Sequence, residues 1–272
     1  MKMTVMSGTG NLFAVFDAFA QGLPANAPEL ARRSCRSHNP GLDGLLVVAP
    51  SESADCRMVI YNADGSRPES CGNGLRCVAR MAVERGHVSG DALGIETDCG
   101  VRRARALRDS TGKITGATVA MGPARILAPT ERIRASWGDI DVTRVDVGNP
   151  HCVVFVEDPS ATPVDQWGPE LEHYAPRGGD WKGTNVEFVA VGEDHLRMRV
   201  WERGVGETAA CGTGACAAAL AAESRGLVEL PIEVALIGGS LYIARDGFGE
   251  VTQSGACEPI GALEGTFVSA GS

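Results

Sequence analysis

The sequence predicts an α+β protein built of two pseudo-symmetric domains, each with β-strands wrapped around a central buried helix. Three observations carry this. Cys71-Gly72-Asn73-Gly74 reappears as Cys211-Gly212-Thr213-Gly214, 140 residues later. An apolar, helix-like stretch follows each copy, LRCVARMAVERG and ACAAALAAESRG. Strand-like segments precede each copy in the same order, and matched landmarks in matched order indicate an internal repeat.

Taken along the chain, the first landmark is Gly10-Asn11 ahead of FAVFD, matched 138 residues later by Gly148-Asn149 ahead of HCVVFVED. Next, Val59-Ile60-Tyr61-Asn62 corresponds to Arg199-Val200-Trp201-Glu202, and both read as strands entering a loop, ADGSRPES in one half and RGVGETAA in the other. The helix after each CGxG ends at a glycine, Gly86 or Gly226, a C-terminal stop signal. Each central helix reads as apolar nearly all round, Ala215 to Ala222 most plainly, as expected of a helix enclosed by strands. Between the halves, KITGATVAMGPA reads as a strand leaving one and entering the next, which puts the domains at 1–116 and 117–254. A duplicated fold suggests a ligand site between its halves, since interdomain clefts are preferred sites.

Composition narrows the function. With 44% hydrophobic and 22% charged residues the chain reads as an ordinary soluble globular protein. A net charge of −9 and the lack of any Lys/Arg run exclude nucleic acid as a partner. The N-terminal apolar stretch is interrupted at Ser7-Gly8-Thr9-Gly10-Asn11, and Ala209–Ala222 is too short and glycine-broken to span a bilayer, so a cytoplasmic protein with no membrane partner is expected. Nine cysteines, an odd number scattered along the chain, make a poor disulfide framework.

Two of those cysteines stand out. Cys71 and Cys211 occupy equivalent positions at the starts of the two helices, where unpaired backbone N–H groups and the helix dipole favour an anion and a thiolate. Zinc ligation is disfavoured, because Cys77 and Cys216 lie about 240° and 140° around their helices from these cysteines and no C-x₂-C spacing occurs. Cys77 and Cys216 are therefore expected in the core. No phosphate-binding loop, dinucleotide fingerprint or lysine placed for a pyridoxal Schiff base is found, so no cofactor is expected. Two bases beside anion-binding N–H groups suit inversion of a carbon next to a carboxylate: one thiolate removes the proton and the other, as a thiol, returns one to the opposite face. A thiol-redox protein and a non-catalytic amino-acid-binding module remain the alternatives from other classes.

YNADGSRPESCGNGLRC, VDVGNPHCVVFV, GTNVEFV and RVWERGVGETAACGTGACAAA resemble the diaminopimelate epimerase family over nearly the whole chain. The resemblance implies that family's two-domain fold, with the segment 255–272 returning to the first domain. It implies a homodimer and cofactor-free interconversion of LL- and meso-2,6-diaminopimelate, a step towards lysine and peptidoglycan. It makes Cys71 and Cys211 the acid/base pair. Gly72, Asn73, Gly212 and Thr213 become the loop groups on the reacting carboxylate. Asn11, Asn62, Asn149, Asn185 and Arg203 become the grip on the distal end, while His151 and Glu202 hold the reacting amino group and assist the cysteines. The chain departs from the family pattern at Ser7, Leu12, Asn39-Pro40 and Gln253 to Cys257, which keeps a racemase of another amino acid, such as histidine, as the alternative substrate reading.

Overall fold

The computed structural model describes residues 1–37, 41–68, 71–174 and 182–264. Asn39-Pro40 and residues 265–272 of the returning segment lie outside the described residues. The chain divides into two compact units, Met1–Val119 with the chain from Ser254, and Ala120–Gln253.

In the first unit the strands are β1 (Lys2–Gly8), β2 (Asn11–Asp17), β3 (Gly44–Ala49), β4 (Cys56–Asn62), β5 (Ala92–Thr97), β6 (Gly100–Arg108) and β7 (Ile114–Gly122), the last running on into the second unit. They hydrogen-bond in that order, and the final strand β16 (Val251–Glu264) pairs with both β7 and β1, closing the circuit. β2–β3 and β4–β5 are parallel pairs. Parallel neighbours cannot be joined by a hairpin, so each pair has a crossover. The first carries the short α1 (Ala18–Gln21) and α2 (Ala27–Ser37); the second carries α3 (Gly72–Glu84). Every residue of α3 from Gly72 to Ala82 is buried, and the helix contacts all six strands β1 to β6.

The second unit repeats the plan. It holds β8 (Arg125–Ala135), β9 (Gly138–Asp146), β10 (Pro150–Phe155), α4 (Val164–Glu172), β11 (Asn185–Val191), β12 (His195–Glu202), β13 (Gly206–Thr208), α5 (Gly212–Ser224), β14 (Ile232–Leu236) and β15 (Gly239–Arg245). The hydrogen-bonded order is β15-β14-β12-β11-β10-β9-β8. Again the parallel pairs, β10–β11 and β12–β14, are joined through helices, α4 and α5. α5 is buried from Gly212 to Ala222 against β8–β12, β14 and β15. The fold is thus the expected α+β arrangement of strands around a buried helix, made twice.

Both central helices end in the same way. Gly86 and Gly226 take φ of +70° and +67°, which a residue with a side chain resists. His87 N–H donates to Ala82 O and Gly86 N–H to Val83 O; Leu227 and Gly226 repeat the pattern on Ala222 and Glu223. These paired bonds satisfy the last carbonyls of each helix. One expectation is refined: RGVGETAA is not all loop. Gly204 and Gly206 turn the chain with positive φ, and β13 folds back on β12, pairing Glu202 with Gly206 and Val200 with Thr208.

Candidate active site

Each cysteine loop is built the same way. Cys71 and Cys211 are N-caps in extended backbone (φ −149° and −128°), and each sulfur accepts the N–H of the residue three positions on, Gly74 at 3.2 Å and Gly214 at 3.4 Å. A sulfur at this position satisfies one of the first N–H groups of the helix and is favoured when negatively charged. Glycine at 74 and 214 leaves room for the cysteine sulfur, to which an added Cβ would come within 3.3 Å. Cys77 and Cys216 are fully buried, facing the core rather than these loops.

Among the described residues, the start of α3 gathers amides and a guanidinium. Asn73, 2% exposed, donates from Nδ2 to Asn11 Oδ1 at 2.6 Å and accepts from Arg76 at 2.8 Å. Arg76 is wholly buried and also donates to Thr9 Oγ1 at 2.6 Å. Asn11 Nδ2 donates to Asp43 Oδ2, which also accepts the Leu12 N–H at 2.7 Å, and this ties the start of β2 to the turn before β3. Asn62 is exposed at the end of β4 and donates to Ser66 of its own loop at 2.9 Å. Ser7 and Leu12 face one another across the β1–β2 ladder. Gln253 is buried against Met121, Ser254 bonds Thr118 at 2.7 Å, and the Cys257 thiol donates to Arg76 O.

Around Cys211 the neighbours are acidic. His151 on β10 bonds Glu187 on β11 through Nδ1 at 2.6 Å and Asn149 Oδ1 through Nε2 at 3.0 Å. Asn149 Nδ2 donates to Thr213 Oγ1 at 3.3 Å, and Thr213 Oγ1 lies 3.4 Å from the Cys211 sulfur. Glu202 accepts from Thr208 Oγ1 at 2.5 Å and hydrogen-bonds the Cys211 thiol. Burial raises the Glu202 carboxyl above the usual carboxylate range. Burial, with the carboxylates of Glu202 and Glu187 behind it, raises the Cys211 thiol well above the ordinary cysteine value. These surroundings favour the thiol form of Cys211.

Of the residues singled out from the sequence, Cys71, Gly72, Asn73 and Asn11 come together in one unit, and Cys211, Gly212, Thr213, Asn149, His151 and Glu202 in the other. Asn185 spends its side chain on backbone: Nδ2 donates to Pro150 O at 3.1 Å and Oδ1 accepts the Arg203 N–H at 2.9 Å, bracing the Arg203 turn against β10. Glu187, fully buried beside His151, was not among the expected residues. Its signal was present in GTNVEFV, because a glutamate two positions after Asn185 on a strand shares its face and interrupts an otherwise apolar run.

The chain matches the diaminopimelate epimerase family over residues 3–127 and 143–256. It is 44% identical over 259 residues to the diaminopimelate epimerase of Moorella thermoacetica, covering 89% of this chain and 91% of that protein. To that of Geobacillus kaustophilus it is 42% identical, covering 95% and 94%. Among solved structures it resembles a probable proline racemase from Agrobacterium radiobacter (TM-score 0.73, 17% identity, 98% and 93% covered). It also resembles a hydroxyproline epimerase from Agrobacterium vitis (TM-score 0.70, 18% identity, 97% and 91% covered). At such identities these two likenesses concern the fold. The chain belongs to the diaminopimelate epimerase family.

Proposed function

We propose that this member of the diaminopimelate epimerase family interconverts LL- and meso-2,6-diaminopimelate without a cofactor, using Cys71 and Cys211 as the acid/base pair. The observation that carries this reading is the thiol N-cap made twice, in equivalent places, on two buried helices. In one direction a Cys71 thiolate takes the α-proton and Cys211, kept protonated by its surroundings, delivers a proton to the other face of the carbon. The reverse reaction exchanges the roles. Charge growing on the substrate carboxylate meets the first N–H groups of α3 and α5, with Gly72, Asn73, Gly212 and Thr213 as its neighbours. Asn11, Asn62, Asn149, Asn185 and Arg203 grip the distal amino-acid head, while His151 and Glu202 hold the reacting amino group.

The relatives' shared name supports the substrate. Among the described residues no helix is long and apolar enough to cross a membrane. We extend the reading to a homodimer working in the cytoplasm, on the strength of the family resemblance; sedimentation of the purified protein tests the assembly.

The decisive experiment follows α-proton loss by NMR when the reduced enzyme meets LL-diaminopimelate in D₂O. Deuterium uptake with formation of the meso isomer is expected. No uptake with diaminopimelate, but uptake with another amino acid such as histidine, would transfer the same chemistry to that substrate. No uptake with any of them would overturn the reading in favour of a binding module.

A further inference from the structure

The buried Glu187 is not required by the packing of the fold, and the duplication shows it. In the second unit the parallel pair β10–β11 sets His151 opposite Asn185, and β11–β12 sets Glu187 opposite Val200. In the first unit β2–β3 sets Phe13 opposite Gly44, and β3–β4 sets Leu46 opposite Ile60. His151 thus occupies the place of Phe13, and Glu187 the place of Leu46. The helix starts agree: a Cβ on Gly74 would meet Leu46 Cδ2 at 2.9 Å, and a Cβ on Gly214 would meet Glu187 Oε1 at 2.8 Å. The same corner is filled in one copy by two buried apolar residues and in the other by a fully buried carboxylate and imidazole.

Such an exchange carries a cost that needs a reason. A buried ionisable pair must be desolvated, and an apolar pair of similar volume often does as well or better for stability. Glu187 is moreover incompletely satisfied, since its Oε2 is buried without a hydrogen-bond partner. A buried polar atom left unpaired in a folded protein calls for an explanation, and a chemical role is one.

The hydrogen-bond directions say what the pair achieves. Asn149 gives its Nδ2 proton to Thr213, so its Oδ1 can only accept, and His151 Nε2 must donate. With the Nε2 proton committed, one further proton lies between His151 Nδ1 and Glu187 Oε1. We propose that Glu187 is a positioning residue of the Cys211 half-site: it holds His151 with its Nε2–H on Asn149, which keeps Asn149 and Thr213 set against the Cys211 sulfur. Glu187 acts through its hydrogen bond to His151 and, by its charge, on the Cys211 thiol.

This inference rests on the epimerase reading, and its test separates the two. Steady-state rates with diaminopimelate are measured in both directions, across pH, for wild type, Glu187→Gln, Glu187→Asp and the double variant His151→Phe/Glu187→Leu, which copies the first unit. All four are expected to melt at similar temperatures. Glu187→Gln should lose roughly 10- to 100-fold in kcat, the scale for residues that orient a working imidazole, with KM changed less than about two-fold and a displaced pH profile. Glu187→Asp should recover part of the loss, and the double variant should be the least active. A Glu187→Gln enzyme with wild-type kcat and pH profile, or one whose loss only tracks a lowered melting temperature, overturns the inference. An inactive wild type overturns the epimerase reading instead.

Discussion

The two cysteine-capped helices share a backbone and differ in charge. α3 carries Arg76 and Arg80, buried at 0% and 4% exposure, where α5 has Cys216 and Leu220 140 residues later. Among the described residues, the polar side chains bonded together at the start of α3 include Asn11, Asn73, Thr9 and the Arg76 guanidinium. Around Cys211 they are His151 and two carboxylates, Glu187 and Glu202. Duplication therefore preserved what the backbone must do at each site, which is to present a sulfur and N–H groups at a helix start. The charge environment diverged. In the proposed reaction one cysteine begins as base and the other as acid, and the roles exchange in reverse, so the divergence sets which protonation state each half favours at rest.

The comparison breaks most visibly at the cysteines themselves. Cys71→Ala and Cys211→Ala should each lose epimerisation by roughly 10³-fold, the scale of a missing acid or base. In D₂O each variant should still exchange the α-proton of only one isomer, and of opposite isomers. Exchange of the same isomer by both variants would remove the assignment of opposed roles.

The buried arginine offers the next largest effect. Arg76→Leu leaves Thr9 and Asn73 without their charged donor and should cost roughly 3 kcal/mol by denaturant midpoint. The equivalent Cys216→Ala, which removes only a small apolar atom, should cost about 1 kcal/mol. Equal losses would show that the cationic character of α3 is incidental.

The two glycines sharpen the contrast further. At Gly74 an added Cβ meets the tip of Leu46, the far end of an apolar side chain held by no hydrogen bond. At Gly214 it meets Glu187 Oε1, which is pinned to His151 at 2.6 Å. Gly214→Ala is therefore expected to cost about 1–3 kcal/mol from overpacking, and Gly74→Ala less than about 1 kcal/mol. Thermal melts of both variants test the order.

Titration should separate the halves more gently. Glu202 is raised by burial, so the folded chain binds its proton more tightly than the unfolded chain does. Its contribution to stability is fully present below the ordinary carboxylate range and is lost as pH climbs through the raised value. Glu202→Gln should thus stabilise the protein at neutral pH by up to about 1 kcal/mol, with no gain in acid, while lowering activity. The matching Asn62→Ala, at an exposed end of β4, should shift stability little at any pH. A gain for Glu202→Gln that persists in acid would refute the titration account.

Much of this was legible in the residues alone. The repeat, the cysteine caps, the glycine stops and the apolar run of α5 are local signals, since capping, turn conformation and helical periodicity depend on neighbours a few positions apart. The family resemblance marked Asn149, His151 and Glu202. The third dimension alone decided that Glu187 meets His151, 36 residues away in the chain, through the register of a parallel strand pair. It likewise decided that Asn185 braces the Arg203 turn and that Phe13 and Leu46 fill the matching corner. Register between distant strands is set by how whole faces pack, and a single strand's sequence does not state which residue of another it will face. The sequence by itself determined two helices, each beginning at a thiol; only the packing of strands around them decided that Cys211 would sit among carboxylates and that α3 would hold a buried guanidinium.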